Sequence, residues 1–397
     1  MTERLPTAAE SKSLPYGIYI SAALGLGLAG LIVSAYLAAS HYWVYTDINH
    51  RSFCAISNAI NCDTVSESPY SIWWKLPVPI WGVFGYAGLM LLICFSVLPA
   101  ASQKRVWTMS FAFALAYSLF SILLAAVSTF KIGSYCILCI VTYAINLLLL
   151  YLTWIVRRRF HAGPILPALK DDIRYLSQRG KATLPLFLAM VAGILLTQRL
   201  IPAYWEFKLP LSPAMLEQGL TADGLPWIGA ENPWVTIVEF ADYQCFQCRK
   251  MHYYFRELAA RYPGKIRIVH RHYPMDHEFN FIVQEPFHVG SGKMALLAIH
   301  AETKGKFWEM NDLLYKLGGT GRDLDLMEAA GATGIEAHEL AAALEYPFYR
   351  DRLAVDIHHG MKLRILGTPS YIINGVVYQG NIPPDILSGI LKSVDAG

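Results

Sequence analysis

The chain has 397 residues, 54% of them hydrophobic and 16% charged, with a mean hydropathy of +0.34. That balance excludes an ordinary soluble protein and fits a membrane protein with room for two or three domains. A net charge of +3 is too small to argue for a nucleic-acid partner, and none is expected.

Five stretches contain no Asp, Glu, Lys or Arg: Leu14–Thr46, Leu76–Gln103, Val106–Phe130, Ile132–Val156 and Ala182–Gln198. A spanning helix needs about 20 mostly apolar residues. The first four satisfy this easily. The fifth is shorter and carries Pro185 near its start. Trp and Tyr residues collect near the ends of these stretches, among them Tyr16, Trp43, Trp73, Trp107, Trp154 and Trp205, as expected of interfacial belts. The first stretch is followed by small residues at Ala38–Ser40, but it is too long for a cleaved leader and is expected to stay.

Charge sets the orientation. Arg157, Arg158, Arg159, Lys170, Arg174, Arg179 and Lys181 lie between helices four and five, and Lys104 and Arg105 between helices two and three. The loop from His41 to Lys75 holds only Arg51 and Lys75. The positive-inside rule then puts the basic loops and the amino terminus in the cytoplasm, and everything after helix five outside. The resulting map is a tail 1–16, a four-helix membrane domain 17–156, a basic loop 157–183, a fifth transmembrane helix 184–202, a linker 203–225 and a soluble domain 226–397.

Six of the seven cysteines form three pairs, Cys54/Cys62, Cys136/Cys139 and Cys245/Cys248. The topology puts all three on the outer face, where disulfides persist. Thiols so paired can hand two electrons along by exchange. Cys94, mid-helix and unpaired, is expected to be a small buried packing residue.

In the soluble domain Thr236–Phe240 reads as a buried strand, and a helix follows from the Cys245-Phe246-Gln247-Cys248 motif. Lys265–Arg271 reads as a second strand. Helices are expected over about 291–359, a hairpin around Asn374-Gly375, and a last helix over Pro384–Val394. Strand, Cys-x-x-Cys and helix make the thioredoxin arrangement. It sets Cys245 at a helix N-terminus, where amide donors favour the thiolate. A structural zinc half-site with His252 or His270 is the competing reading, and no metal is expected.

"VEFADYQCFQC" resembles the DsbA-like branch of the thioredoxin family, and the likeness covers nearly all of Trp227–Val394. It implies that Glu239 is a buried acid that takes the resolving thiol's proton, and that Pro369 in "GTPS" is the cis-proline facing the disulfide. Phe246 stands where many relatives have Pro. "SYCILCIVTYAIN" and "NCDTVSESPYSIWWKLPVPIWG" resemble the vitamin K epoxide reductase family over about Gly17–Val156. That resemblance implies roles for Ser68 and Asp63 beside the active thiols, and for Tyr143 and Trp81 at a quinone pocket. The helix-two asparagine of the vertebrate enzymes has no clear counterpart here.

The expected fold is therefore a four-helix transmembrane bundle plus a fifth helix, fused to an α/β thioredoxin-like domain. The expected activity is that of a quinone-dependent thiol oxidase, with a ubiquinone, menaquinone or plastoquinone-type acceptor and reduced secreted or lumenal proteins as substrates. Its place is the lipid bilayer of a plasma or thylakoid membrane. The alternatives are a quinone or vitamin K epoxide reductase that uses the soluble domain as reductant, a thiol transporter running in the reducing direction, and a metal-binding membrane module.

Overall fold

A computed structural model describes residues 14–57, 59–97, 106–160, 163–318 and 324–396. Lys104 and Arg105 lie outside them. Two units result. One comprises the described residues up to Ala203, apart from Trp43–Arg51 and Glu67–Pro69; the other comprises those two segments and everything from Tyr204 on.

The first unit is helical. In chain order it holds α1 (Tyr16–Thr46), α2 (Cys62–Glu67), a two-strand hairpin of β1 (Ile72–Trp73) and β2 (Leu76–Pro77), α3 (Val78–Cys94), α4 (Trp107–Val127), α5 (Ile137–Phe160), α6 (Ile165–Ser177) and α7 (Gly180–Leu200). Helix α1 reaches from this unit into the second. Among the described residues α1, α4 with its last turn to Ile132, α5 and α7 are long and apolar enough to cross a membrane. The expected second span, Leu76–Gln103, is represented by the 17-residue α3, and its end from 98 on lies outside the described residues. A proline starts α3 at Val78-Pro79, where a missing amide proton costs nothing.

The segment 157–183, expected as a loop, is largely helical. The 13 residues of α6 are amphipathic: Ala168, Asp172 and Tyr175 are buried on one face. Asp172 is fully buried and takes the amide protons of Val106, Thr108 and Met109 at 2.9, 3.0 and 3.0 Å. It thereby satisfies the first turn of α4, whose amides have no helical partner.

The bundle core joins Tyr19, Tyr86, Leu89, Ile93, Trp107, Ile145 and Leu149. A polar thread runs through it. Tyr86 Oη donates to Asn146 Oδ1 at 2.8 Å, and Asn146 Nδ2 to Ser121 Oγ at 2.9 Å. Interhelical hydrogen bonds of this kind hold apolar helices together where lipid gives no hydrophobic drive. Gly85 is required by close approach, since a Cβ there would lie 1.9 Å from Tyr117 Oη. Beside the thread is a cavity of about 10 Å³ bordered by Tyr86, Tyr117 and Asn146, sized for one water.

The second unit is built on a six-stranded sheet: β3 (Glu217–Leu220), β4 (Pro226–Gly229), β5 (Val235–Ala241), β6 (Ile266–His272), β7 (Ser370–Ile373) and β8 (Val376–Gln379), in the spatial order β3-β4-β6-β5-β7-β8. Only the β5–β6 pair is parallel, and α8 (Phe246–Arg261) makes its crossover. Among the described residues five helices stand between β6 and β7: α9 (Ser291–Thr303), α10 (Phe307–Gly318), α11 (Leu326–Thr333), α12 (Ala337–Glu345) and α13 (Pro347–Lys362). Asn374 and Gly375 turn the β7–β8 hairpin with φ of 52° and 79°, as a two-residue turn of the primed type requires. Helix α14 (Pro384–Ala396) closes the chain. The stretch 203–225, expected as a linker, contributes the edge strand β3, paired from Glu217↔Gly229 to Leu220↔Pro226.

Candidate functional site

The membrane-unit sulfurs come together by backbone, not by chance packing. Ile60 and Tyr135 form a parallel bridge. Asn61 N donates to Tyr135 O at 2.9 Å and Tyr135 N to Ala59 O at 2.8 Å. The loop is thus tied to the residue just before Cys136, with Cys62 two positions beyond the bridge. Cys54 and Cys62 are joined by a disulfide with Cα atoms 5.6 Å apart. That disulfide, Cys136 and Leu37 form one buried cluster, with Cys139, Val33, Val65 and Leu138 packed on it. Cys136 precedes the first turn of α5, and its Sγ accepts Cys139 N–H at 3.3 Å.

Asn61, Ser52 and Ser40, not anticipated from the sequence, hold this loop together with the expected Asp63. Asn61 Oδ1 accepts from Asp63 N and Thr64 N at 2.9 and 3.3 Å and so caps α2. Asp63 takes both the amide and the hydroxyl of Ser52, tying the chain before Cys54 to the chain after Cys62. Ser52 Oγ also meets Ser40 Oγ of α1 at 3.0 Å.

The other expected membrane-site residues are spread more widely. Tyr143 is half-buried one turn past Cys139 on α5. Trp81 lies at the start of α3, where its Nε1 donates to Trp73 O at 2.9 Å and its ring meets those of Trp73 and Trp74 at 5.2 and 6.3 Å. Ser68 follows α2 in the segment that groups with the second unit. Cys94 corrects an expectation: it is exposed, not buried. It is the last residue of α3.

In the second unit Cys245 is the N-cap of α8, and its Sγ accepts Cys248 N–H at 3.3 Å. Both thiols are buried. Cys245 Sγ also lies 3.7 Å from Thr368 O, and the Thr368–Pro369 bond is cis. The Cys245 thiol is pushed down, first by the hydrogen bond from Cys248, then by the His288 imidazolium, against the effect of burial. Cys248 is pushed well up by burial and by the neighbouring Cys245. The two thiols thus divide into a nucleophile and a protonated resolving partner.

The charged groups around Cys245 are residues the sequence did not single out. Asp242, fully buried, accepts from Gln244 N at 2.6 Å, Cys245 N at 3.2 Å, Met275 N at 2.6 Å and Ser291 Oγ at 2.9 Å. His288 Nδ1 stands 3.1 Å from Asp242 Oδ2. Burial works against the charge on His288, but the Asp242 carboxylate outweighs it and raises the histidine to about 9. Gln244 Nε2 donates to Val289 O at 2.8 Å, which holds this loop against the residue before Cys245. Glu239 is buried on β5 with Oε1 2.7 Å from His270 Nδ1. His252 pairs with Asp312 at 2.8 Å.

Residues 21–154 match the family model described as the vitamin K epoxide reductase family, and residues 221–393 match the model described as thioredoxin. The chain carries a vitamin K epoxide reductase family domain fused to a thioredoxin-like domain. Its apolar helices and the vitamin K epoxide reductase domain mark an integral membrane protein. The two domains with their dithiols support thiol–disulfide oxidoreductase chemistry.

Curated relatives include the Na(+)/H(+) antiporters NhaA 1 of Salinispora arenicola and NhaA 3 of Salinispora tropica. Each is 29% identical, over 43% and 42% of this chain. The chain spans only 24% of the length of either, and the antiporter name is theirs. Similar solved structures include a thioredoxin-like oxidoreductase from Silicibacter pomeroyi, 25% identical over 44% of this chain and 93% of its own, with a TM-score of 0.36. BdbD from Bacillus subtilis is 22% identical over 45% and 98%, with a TM-score of 0.37.

Proposed function

We propose that the chain is a quinone-dependent thiol oxidase that makes disulfide bonds in extracytoplasmic proteins. The observation that carries this reading is the packing of the Cys54–Cys62 disulfide against Cys136 and Cys139 in one buried cluster. Sulfur attacks sulfur only at contact, and this cluster gives the loop pair and the helical pair that opportunity.

Electrons run from substrate thiols to Cys245/Cys248, then to Cys54, Cys62, Cys136 and Cys139, and from there to a quinone. At each handoff a thiolate attacks a disulfide, forming a mixed disulfide that the next thiol resolves. At the end Cys136 and Cys139 close their disulfide, and the quinone takes two electrons and two protons to become a quinol. The helical pair lies at the head of an apolar helix, near the phase in which quinones dissolve. Tyr143 and Trp81 border the quinone, Asp63 holds the loop in register, and Ser68 flanks the loop thiols. Glu239 serves the resolving thiol Cys248, and Pro369 faces the disulfide that Cys245 forms. The acceptor is a quinone of ubiquinone, menaquinone or plastoquinone type, a two-electron acceptor of higher potential than the helical dithiol. The positive-inside asymmetry supports a cytoplasmic amino terminus and an outward thioredoxin-like domain.

The test is a coupled assay in detergent. With a ubiquinone or naphthoquinone, the purified chain is expected to oxidise a reduced test protein while an equal amount of quinone is reduced. Cys139→Ala is expected to abolish quinone reduction and leave an upstream disulfide trapped. Cys54→Ala is expected to uncouple the soluble domain while a small dithiol still drives quinone reduction. Full coupling in the Cys54→Ala chain would overturn the relay order.

A further inference from the structure

Helix α6 carries three faces, and one of them packs against its own unit. At about 100° per residue Ala168, Asp172 and Tyr175 fall together, and all three are buried. The next arc holds Ile165, Leu166 and Ile173, which are 47%, 73% and 51% exposed. Lys170 and Arg174 border that arc, one turn apart and both exposed. Asp171 lies opposite the apolar arc, and Asp172 is buried against the start of α4. Neither acid therefore neutralises the border where the two cations stand.

The buried face fixes how deep α6 sits. Asp172 takes the first-turn amides of α4. Tyr175 Oη donates to the carbonyl of Phe95, the C-cap of α3, at 3.0 Å. Tyr16 of α1 meets the rings of Trp107 at the start of α4 and Phe160 at the end of α5, with centroids 6.3 and 5.3 Å apart. The beginnings of α1 and α4 and the end of α5 therefore share one level. All three helices are long and apolar enough to cross a membrane. A helix pinned to the ends of such helices lies where hydrocarbon gives way to headgroups.

We propose that the outward face of α6 binds an anionic phospholipid of the surrounding bilayer. Leu166 and Ile173 lie against its acyl chains, and Lys170 and Arg174 hold its phosphate and its net negative headgroup. An apolar arc bordered by cations is the pattern of a helix that lies in the interface. Depth selects the occupant. At the level of the helix ends an exposed Leu and two exposed Ile face lipid and are not left to water. Cations set at that depth draw lipids of negative headgroup. The site is separate from the dithiols, and it explains why α6 is amphipathic although only one of its faces packs on the bundle.

The experiment uses the full-length chain in nanodiscs of phosphatidylcholine and phosphatidylglycerol in equal amounts. Leu166 is replaced by the photo-crosslinker benzoylphenylalanine. Ultraviolet light is expected to add one phospholipid to the chain, and the mass of the adduct identifies which. Phosphatidylglycerol should predominate. Adding Lys170→Gln and Arg174→Gln is expected to lower the ratio of phosphatidylglycerol to phosphatidylcholine adducts by about fivefold or more, since each cation near anionic lipid is worth roughly fivefold. Lys316→Gln with Lys362→Gln removes the same charge from the thioredoxin-like domain and is expected to leave the ratio unchanged. Absence of a lipid adduct overturns the proposal. So does an unchanged ratio in the α6 variant, or an equal fall in both. A second arm alters no charged residue. Raising the salt should lower the phosphatidylglycerol share, because screening weakens the attraction, and a salt-independent ratio also overturns the headgroup site. No quinone or thiol exchange enters these measurements, so the oxidase reading stands or falls in its own assay.

Discussion

At the scale of residues, the nucleophile depends on a histidine far from it in the chain. His288 stays charged up to about 9 because it faces Asp242, and its charge lowers the Cys245 thiol. His288→Gln removes that charge, so the Cys245 thiol is expected to titrate higher. Its alkylation at neutral pH should slow, because a smaller share of the sulfur is then thiolate. The pH dependence has a definite sign. The folded pKa of His288 is raised above the ordinary value near 6.5, so the ion pair stabilises fully below that value and the stabilisation is lost as pH climbs through about 9. Denaturant midpoints of wild type and His288→Gln across that range check it, since the variant should lack this slope. The cysteines were legible in the sequence because their chemistry is carried by spacing alone. Glu239 stood out because an acid inside an apolar strand is costly without a role. Asp242 and His288 were not legible. An Asp beside a motif reads as a loop acid, and the histidine reaches it only through the fold of the β6–α9 connection.

At the scale of elements, the long apolar helices, the two central strands and the β7–β8 hairpin could be read because each has one dominant local signal. Helix α6 could not, since its cations drew attention to the charge of the segment and away from its amphipathic period. Strand β3 is an edge strand whose Glu-Gln-Gly-Leu sequence alternates nothing, so it exists only through pairing with β4. The structural value of α6 lies in Asp172. Asp172→Ala leaves three amides at the start of α4 without their acceptor, and an orphaned buried group costs about 1–3 kcal/mol. A lower thermal midpoint in detergent is expected, with alkylation of Cys245 unaffected. An unchanged midpoint would mean that water replaces the carboxylate.

At the scale of the whole molecule, the proposed electron order needs all three dithiols on one aqueous face. Single reporters test this in sealed vesicles of known orientation. With an impermeant maleimide, Lys208→Cys is expected to label from the extracytoplasmic side without detergent. Lys170→Cys, on α6, is expected to label from that side only after the membrane is opened. The reverse pattern would invert the topology and remove the oxidase reading with it.

The tie between Ile60 and Tyr135 has a further meaning, because main-chain atoms make it. Which outward side chains fill the loop does not decide whether the two inner sulfur pairs meet. Phe53 and Ile56 carry largely exposed side chains that take no part in the Ile60–Tyr135 tie. A change at the rim of the loop therefore leaves the main-chain alignment of the two sulfur pairs in place.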